Sequence, residues 1–285
     1  MTSQTGYFAF NLADDRRWTV PVIAIGGLPI AVIDRAKSAQ LMVDVALSRR
    51  NSGLPPLIFS SANGQVLSLC ARQSRIRDLF VAADLIHADG MPLVFVSRLV
   101  HKTPLPERVC TTDLFHDVAK AAPRRGARMF LLGATKTVMG EAARRVQALY
   151  PDLAIVGHES GYLRREGDED RIIDVINAAR PDILWLGLGV PAEQELAVRL
   201  RERLHGVGLI KTSGGLFDYL SGKNERAPGW MQTAGLEWAF RMYLEPRRLA
   251  GRYLTTNPHA LFLLLTRTGL TSGSSRERSE QRVNQ

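Results

Sequence analysis

This chain of 285 residues has few cysteines and no long apolar run. Its two cysteines, Cys70 and Cys110, lie far apart and lack metal-ligand spacing, so no disulfide framework is expected and a reducing cytoplasm is favoured. The N-terminal segment has early acids and no long apolar core, which is not the pattern of a signal peptide. No segment reaches the roughly 18 to 20 apolar residues that a membrane-spanning helix needs, and the best run, residues 260–265, is too short. Any contact with a membrane is therefore expected at its surface.

Several nucleotide and metal motifs are absent as well. The chain has no complete Gly-x-Gly-x-x-Gly and no P-loop pattern, which leaves little support for a dinucleotide-binding enzyme. The six histidines show no metal spacing, and the Asp-x-Asp pattern at residues 168–170 begins a predicted helix, where acids stabilise the N-terminus. Glycines do follow predicted strands, as at Gly187, Gly189 and Gly214, but such glycines also serve simply as turn residues.

Positive charge, by contrast, is plentiful and unevenly placed. The formal net charge is +9, and residues 223–285 hold ten Lys and Arg against five Glu and no Asp, which gives +5. A basic C-terminal segment is suited to anionic lipid, a diphosphate or nucleic acid. A solvated surface produces the same bias, so charge alone does not choose a partner.

Short apolar runs alternate with longer helical patterns along most of the chain. The runs predict strands at residues 22–25, 57–60, 85–88, 128–132, 153–156, 183–188 and 208–211. Apolar residues at helical spacing predict helices at residues 136–150, 171–179 and 193–204. Because continuous apolar strands alternating with helices are typical of parallel sheets covered on both faces, we predict an α/β fold. Its sheet is expected to be Rossmann-like, mostly parallel and flanked by helices.

Composition also divides the chain into segments. We expect a flexible arm over residues 1–20, an α/β domain over 21–222, a helical appendage over 223–270 and a disordered tail over 271–285. The appendage is rich in Trp, Phe, Met and Tyr mixed with arginines, which is typical of a basic amphipathic helix at a membrane interface. A helix docked on the main domain would show a similar pattern, and both interpretations stay open.

Polar side chains follow two of the predicted strands. Asp89 and Gly90 end the strand at 85–88, and an Asp at the carboxyl end of a strand is well placed to face a ligand, although Asp-Gly is also a common turn. Ser61 and Asn63 follow the strand at 57–60, where they are suited either to bind sugar hydroxyls or to cap the next helix.

Six motifs, taken in order, resemble one known family. They are Ser61-Ala-Asn63; Asp89-Gly90; Arg108-Val109 with Asp113-Leu-Phe115; Gly187-Leu-Gly-Val-Pro191 with Gln194-Glu195; Gly214-Gly-Leu-Phe-Asp218 with Arg226-Ala-Pro228; and Glu245-Pro-Arg-Arg-Leu249 with Arg252-Tyr253. In this order and spacing the chain resembles the WecG/TagA/CpsF family, glycosyltransferase family 26, from about residue 26 to residue 254. Ser61 stands where the family usually has Thr and keeps the hydroxyl.

The resemblance implies a function. It implies an inverting, metal-independent glycosyltransferase with its catalytic domain at residues 21–222. The enzyme would move a hexose derivative of the N-acetylmannosamine, N-acetylmannosaminuronate or glucuronate type from a UDP-sugar to a polyprenyl-diphosphate-linked saccharide. The product would be an exopolysaccharide or another cell-surface polysaccharide. No cofactor is expected, since the UDP-sugar is a substrate.

The same resemblance implies partners and a location. The enzyme is expected in the cytoplasm, peripherally bound to the inner face of the cytoplasmic membrane, with no nucleic-acid partner. Self-association is left open.

Transfer of a sugar needs a base for the acceptor proton and a stabilised diphosphate leaving group. Asp89 is the expected base, with His87 on the same strand as the alternative. Without a metal ion, arginines would bind the diphosphate, because guanidinium groups pair with phosphate oxygens in a bidentate manner. By resemblance, Arg241, Arg248 and Arg252 bind the UDP diphosphate, or lipid headgroups, and Arg108 and Gln194 bind the donor sugar. Ser61 and Asn63 are expected to bind and orient the donor sugar, or to orient Asp89 itself.

Two other classes of function remain as alternatives. A Rossmann oxidoreductase would need the glycine fingerprint that the sequence lacks. A non-catalytic module that binds nucleotide sugars or nucleic acid is consistent with the basic charge, but the group Asp89, Asn63, Arg108 and Gln194 argues against it.

Overall fold

A computed structural model describes residues 6–12, 17–163 and 166–269, apart from the side chain of Arg248. The tail expected over residues 271–285 and parts of the expected N-terminal arm lie outside these residues. Two sheets occur in the described part of the chain: a three-stranded sheet at the N-terminus and a six-stranded sheet.

The N-terminal sheet is antiparallel and consists of β1 (Gly6–Asn11), β2 (Arg17–Ile25) and β3 (Leu28–Ala31). The predicted strand at 22–25 is therefore a strand, but it does not belong to the parallel sheet. Where residues 1–20 are described, they form paired strands instead of the flexible arm that we expected. The physical reason is the alternation in β1, which turns Phe8 and Phe10 inward while Tyr7 stays exposed. Phe10 packs against Phe59, with ring centroids 5.5 Å apart.

The six-stranded sheet is parallel and confirms the predicted fold class. Its order is β5-β4-β9-β8-β6-β7, where the strands are β4 (Leu57–Ala62), β5 (Leu85–Ala88), β6 (Arg128–Gly133), β7 (Ala154–Ser160), β8 (Ile183–Gly187) and β9 (Leu209–Thr212). The six other predicted strands are thus found: β5 has the predicted ends, and the ends of the others are shifted by at most four residues. Alternate residues along the buried strands enter separate cores on the two faces, as Ile58 and Phe59 do.

Helices cover both faces of this sheet. They are α1 (Arg35–Arg49), α2 (Gly64–Arg72), α3 (Ser74–Val81), α4 (Met91–Val100), α5 (Thr111–Arg125), α6 (Lys136–Leu149), α7 (Asp168–Ala179), α8 (Ala192–Arg201) and α9 (Leu216–Leu220). Three of them, α6, α7 and α8, are the helices that the apolar spacing predicts. Helix α5 lies on the face that carries Phe59 and Trp185, where Phe115 meets Trp185 at a centroid distance of 4.9 Å.

Three helices follow the sheet: α10 (Gly229–Thr233), α11 (Glu237–Leu244) and α12 (Pro246–Thr266). Helix α12 packs on α2, where Ala260 lies against Gly64 and Leu263 and Leu264 share a core with Leu67. Leu249 and Tyr253 are buried on the same side of the helix. The opposite side of α12 exposes Leu254, Leu261, Phe262 and Leu265. The predicted C-terminal helix is confirmed, but a basic face on it is not, because the described exposed side is largely apolar. Within the described residues, no helix is both long enough and apolar enough to span a bilayer.

Candidate active site

Asp89 lies at the carboxyl edge of the parallel sheet, directly after β5. Its backbone N–H donates to the carbonyl of Ala62 at 2.8 Å, which continues the pairing between β5 and β4 and fixes the position of the side chain. The side chain is half-buried. Burial raises the pKa of Asp89 above its ordinary value, Arg108 and Lys211 oppose this rise, and Glu237 adds to it. A carboxyl group with a raised pKa, open at a sheet edge, is suited to act as a base.

A chain of hydroxyl groups connects Asp89 to a buried lysine. The Nζ of Lys211 donates to the Oγ of Ser61 at 2.8 Å. The Oγ of Ser61 lies 3.2 Å from the Oγ1 of Thr111, which in turn donates to the Oδ2 of Asp89 at 3.2 Å. The sequence placed Ser61 and Asp89 at one edge, and the structure brings them together through Thr111, the first residue of α5.

His87, the alternative base, lies in the core. It is fully buried, and its ring is edge-on to that of Phe59 with centroids 6.0 Å apart. Burial, and then the charge of Lys211, lowers the pKa of His87 well below the usual range, so the ring is neutral. A neutral ring without solvent exposure is not placed to meet a substrate, which leaves Asp89 as the candidate base.

Asn63 caps helix α2. Its Oδ1 accepts a hydrogen bond from the backbone N–H of Val66 at 3.2 Å. The capping interpretation is therefore confirmed. Asn63 also lies against Gly90, where an added Cβ would be 3.6 Å from that of Asn63, so the cap stands next to the loop that carries Asp89. A role in sugar binding stays a prediction.

Arg108 joins the sheet edge to the C-terminal helices. Its Nη1 donates to the Oε2 of Glu237 on α11 at 2.7 Å, and both side chains are mostly buried. Its Nη2 lies 3.4 Å from the Oε1 of Gln232 on α10. Arg226, which pairs with Asp113 on α5, also donates to Gln232. The predicted sugar-pocket arginine is thus beside Asp89, in contact with a carboxylate of the appendage.

Gln194 is buried beside a second buried acid. Its Nε2 donates to the Oε1 of Glu193 at 3.1 Å, and its own Oε1 has no hydrogen-bond partner among the described residues. The Oε2 of Glu193 accepts from the backbone N–H groups of Leu188 at 3.2 Å, Gly189 at 3.1 Å and Gly214 at 2.7 Å. Glu193 therefore joins the glycine loop after β8 to the loop after β9. Burial raises the pKa of Glu193, and these backbone donors oppose the rise.

The predicted diphosphate arginines lie on α11 and α12. The guanidinium carbon of Arg241 is 5.9 Å from the ring centre of Tyr219 on α9. Burial raises the pKa of that tyrosine, Arg241 opposes the rise and Glu237 adds to it. Arg252 stacks on the ring of Tyr253 at 4.9 Å, and its Nε is buried without a hydrogen-bond partner in the described part of the chain. The side chain of Arg248 lies outside the described residues. Diphosphate binding by these arginines stays a prediction.

Three groups of the site were not identified from the sequence: Thr111, Glu193 and Lys211. Thr111 begins a helix, and its sequence context indicates no chemistry. Glu193 is one of the acids in the first turn of α8, which is ordinary for a helix, and Lys211 lies at the end of an apolar run. The described residues contain no group of three or more His, Cys, Asp and Glu that could hold a metal ion, and metal independence stays a prediction.

Comparisons with known proteins agree on one family. The model of the glycosyl transferase WecG/TagA/CpsF family matches residues 23–273. An N-acetylglucosaminyldiphosphoundecaprenol N-acetyl-beta-D-mannosaminyltransferase of Bacillus spizizenii is 32% identical over 188 residues, which cover 66% of this chain and 71% of the relative. A protein of the same name from Bacillus subtilis is 30% identical over 210 residues, covering 73% of this chain and 78% of the relative.

Proposed function

The chain belongs to the glycosyl transferase WecG/TagA/CpsF family, and we propose that it transfers an N-acetylmannosaminyl-type residue from a UDP-sugar to a lipid-linked saccharide. It is a glycosyltransferase of polysaccharide biosynthesis. The two relatives are named for an N-acetylmannosaminyl group and an N-acetylglucosaminyl-diphosphoundecaprenol acceptor, which supports a polyprenyl-diphosphate-linked acceptor here. N-acetylmannosaminuronate and glucuronate remain within the proposed donor class, and an exopolysaccharide or another cell-surface polymer is the proposed product.

One observation carries the proposal most directly. The Oδ2 of Asp89 accepts from Thr111 at 3.2 Å, and burial raises the pKa of this carboxyl at an edge of the sheet that the family motifs surround. Asp89 would take the proton of the acceptor hydroxyl as its oxygen bonds to the anomeric carbon. The bond from that carbon to the diphosphate oxygen breaks, and UDP leaves with the electron pair. A single displacement of this kind inverts the anomeric configuration, and it needs no metal ion if guanidinium groups stabilise the diphosphate.

The other predicted residues are assigned supporting roles. Arg241 and Arg252, with Arg248, are proposed to meet the diphosphate, since guanidinium stays charged at all relevant pH values. Arg108 and Gln194 are proposed to bind the donor sugar. The buried Oε1 of Gln194, which has no partner in the described residues, is an acceptor for a sugar hydroxyl once the loop after β8 admits it. Ser61 and Asn63 are proposed to hold the geometry around Asp89.

Membrane association is proposed from α12. Its exposed side carries Leu254, Leu261, Phe262 and Leu265, and Tyr243 on α11 is 82% exposed. Apolar side chains in this arrangement are suited to lie in the interfacial layer of a bilayer, where a polyprenyl acceptor is held. We propose the inner face of the cytoplasmic membrane, because a nucleotide-sugar donor is a cytoplasmic compound.

The first experiment replaces Asp89 by Asn. We expect Asp89→Asn to lower the single-turnover rate of sugar transfer about 1,000-fold, because an amide cannot accept the proton, and to leave the UDP affinity within about twofold. Transfer from a panel of UDP-sugars to synthetic polyprenyl-diphosphate saccharides would be followed by mass spectrometry, and UDP binding by calorimetry. Asp78→Asn, at an exposed position on α3, is the matched control. Near-normal turnover of Asp89→Asn would contradict the proposed role.

A further inference from the structure

Lys211 is an unusual residue for the centre of a parallel sheet. It lies on β9, pairs in register with Phe59 and Trp185, and is fully buried. The hydrogen bonds described for its Nζ go to two neutral oxygens, the Oγ of Ser61 at 2.8 Å and the carbonyl of Thr212 at 3.0 Å. A buried ammonium group costs free energy unless charges or dipoles compensate it, so a buried lysine in an otherwise apolar strand indicates a specific task.

Hydrogen-bond chemistry gives the hydroxyl chain a direction. An ammonium group can only donate, so the Oγ of Ser61 accepts from Lys211 and directs its own proton to Thr111, 3.2 Å away. The hydroxyl of Thr111 is then left to donate to the Oδ2 of Asp89. We propose that Lys211 is a positioning residue for the general base: its ammonium group orients Ser61 and Thr111 so that every donor of the chain points towards Asp89.

The surrounding charges support this role. Burial lowers the pKa of Lys211 to about 8, and the nearby Asp89 and Glu193 oppose that decrease, so the ammonium form predominates at neutral pH. Asp89 is faced by Lys211 and Arg108, which lower its pKa, and by Glu237, which raises it. The thiol of Cys110 also interacts with the charges of Asp89 and Arg108, but burial raises its pKa to about 12 and keeps it neutral. His87, whose pKa is lowered by burial and then by Lys211, is neutral as well.

Removal of the positive charge should therefore raise the pKa of Asp89. The base is active when ionised, so activity falls as the pH decreases through that pKa. We expect Lys211→Met, which keeps the approximate length of the side chain, to move the acid limb of the rate profile upward by about 1 pH unit. At a pH below the acid limb, the single-turnover rate of Lys211→Met should be about tenfold lower than that of the wild type at the same pH. The KM for the UDP-sugar should stay within about twofold of the wild-type value.

The control is Lys120→Met, an exposed position near the far end of α5, for which we expect the wild-type profile. A purely structural role for Lys211 would lower the stability or the amount of active enzyme without moving the limb. An acid limb of folded Lys211→Met that coincides with that of the wild type would overturn the proposal.

This inference rests on the proposed function of Asp89, and a second readout separates the two. The ionisation of Asp89 can be titrated in the full chain by NMR of ¹³C-carboxyl aspartate, with the signal assigned through Asp89→Asn. A wild-type protein that transfers no sugar to any lipid-linked acceptor would refute the proposed function alone. An unchanged Asp89 titration in Lys211→Met would refute the role of the lysine alone.

If Lys211→Met does not fold, the hydrogen-bond chain from Lys211 to Asp89 can be interrupted by removing its hydroxyl groups. Ser61→Ala and Thr111→Val keep the ammonium charge but remove the directed donors. We expect both to raise the pKa of Asp89, by less than the shift of about 1 pH unit expected for loss of the charge. Unchanged titration of Asp89 in both of these variants would overturn the proposal.

Discussion

The carboxyl edge of the parallel sheet and the C-terminal helices meet at Arg108, but they are constructed differently. At the sheet edge, polar groups are buried and hydrogen-bonded to one another, as in the pair Glu193 and Gln194. The helices α10 to α12 instead expose large side chains such as Trp230 and Tyr243. Helices α10 and α11 reach the sheet edge through polar contacts of Gln232 and Glu237 with Arg108.

The difference indicates a division of tasks. The sheet edge holds Asp89 in one geometry, because its position depends on strand pairing and on a hydrogen-bonded hydroxyl chain. The C-terminal helices act on the same carboxyl from the other side, through the charge of Glu237. A cation of the sheet, Lys211, and an anion of the appendage therefore shift the pKa of one base in opposite directions. Ionisation of the base therefore depends on charges from both regions.

The largest effect that this comparison predicts is on stability. Glu193→Ala removes the carboxylate that accepts three backbone N–H groups from two loops, and leaves those half-buried donors without that partner. We expect the free energy of unfolding to fall by about 3 kcal/mol, measured by urea denaturation. Glu195→Ala on the same helix is the matched control, because its partner Arg75 is 81% exposed and such surface pairs contribute about 0–1 kcal/mol. Equal losses in the two variants would mean that Glu193 does not hold the loops together.

The sequence predicts the sheet edge better than it predicts the interactions across it. The seven apolar runs are all strands, and Asp89 and Ser61 lie where strand ends place them. The Ser61–Lys211 contact, however, joins residues 150 apart in sequence. No local pattern shows that a lysine at the end of an apolar run will turn inward to meet a serine on a neighbouring strand. Strand order decides which side chains meet, and neither segment has a sequence pattern that makes β4 and β9 neighbours.

For the C-terminal region, the sequence predicts the helices but not which of their sides the protein covers. Its helical and aromatic character is evident from composition. Of the two open interpretations of α12, docking on the domain is confirmed, and membrane contact stays a proposal. One side, with Leu249 and Tyr253, docks on the domain, and the other side, with Leu261 and Leu265, stays exposed. Helical spacing places apolar residues on two sides here, and periodicity alone does not say which of them the protein covers. The overall composition of residues 1–20 predicts no strand, whereas the alternation of Phe8 and Phe10 turns one side of β1 towards the core.

The next prediction concerns that exposed side. Phe262→Ala combined with Leu265→Ala should weaken binding to vesicles of anionic phospholipid about tenfold, since each truncation removes apolar area from the interface and tenfold corresponds to about 1.4 kcal/mol. Vesicle flotation at fixed ionic strength measures this. The control combines Leu54→Ala with Leu149→Ala, two other exposed leucines that lie outside α12. Equal vesicle binding by the two double variants would assign membrane contact to a different surface.

The smallest effect tests the opposition of charges at the base. Glu237→Gln keeps the size of the side chain and removes the negative charge that raises the pKa of Asp89. The carboxylate of Asp89 then forms more easily, so the acid limb of the transfer rate should move to lower pH, by about 0.5 unit. This direction is opposite to that expected for Lys211→Met. Glu225→Gln, an exposed glutamate between the sheet and α10, should leave the limb in place. A shift to higher pH in Glu237→Gln would contradict the opposed charges, since it would mean that loss of the Arg108 contact, and not loss of the negative charge, dominates at Asp89.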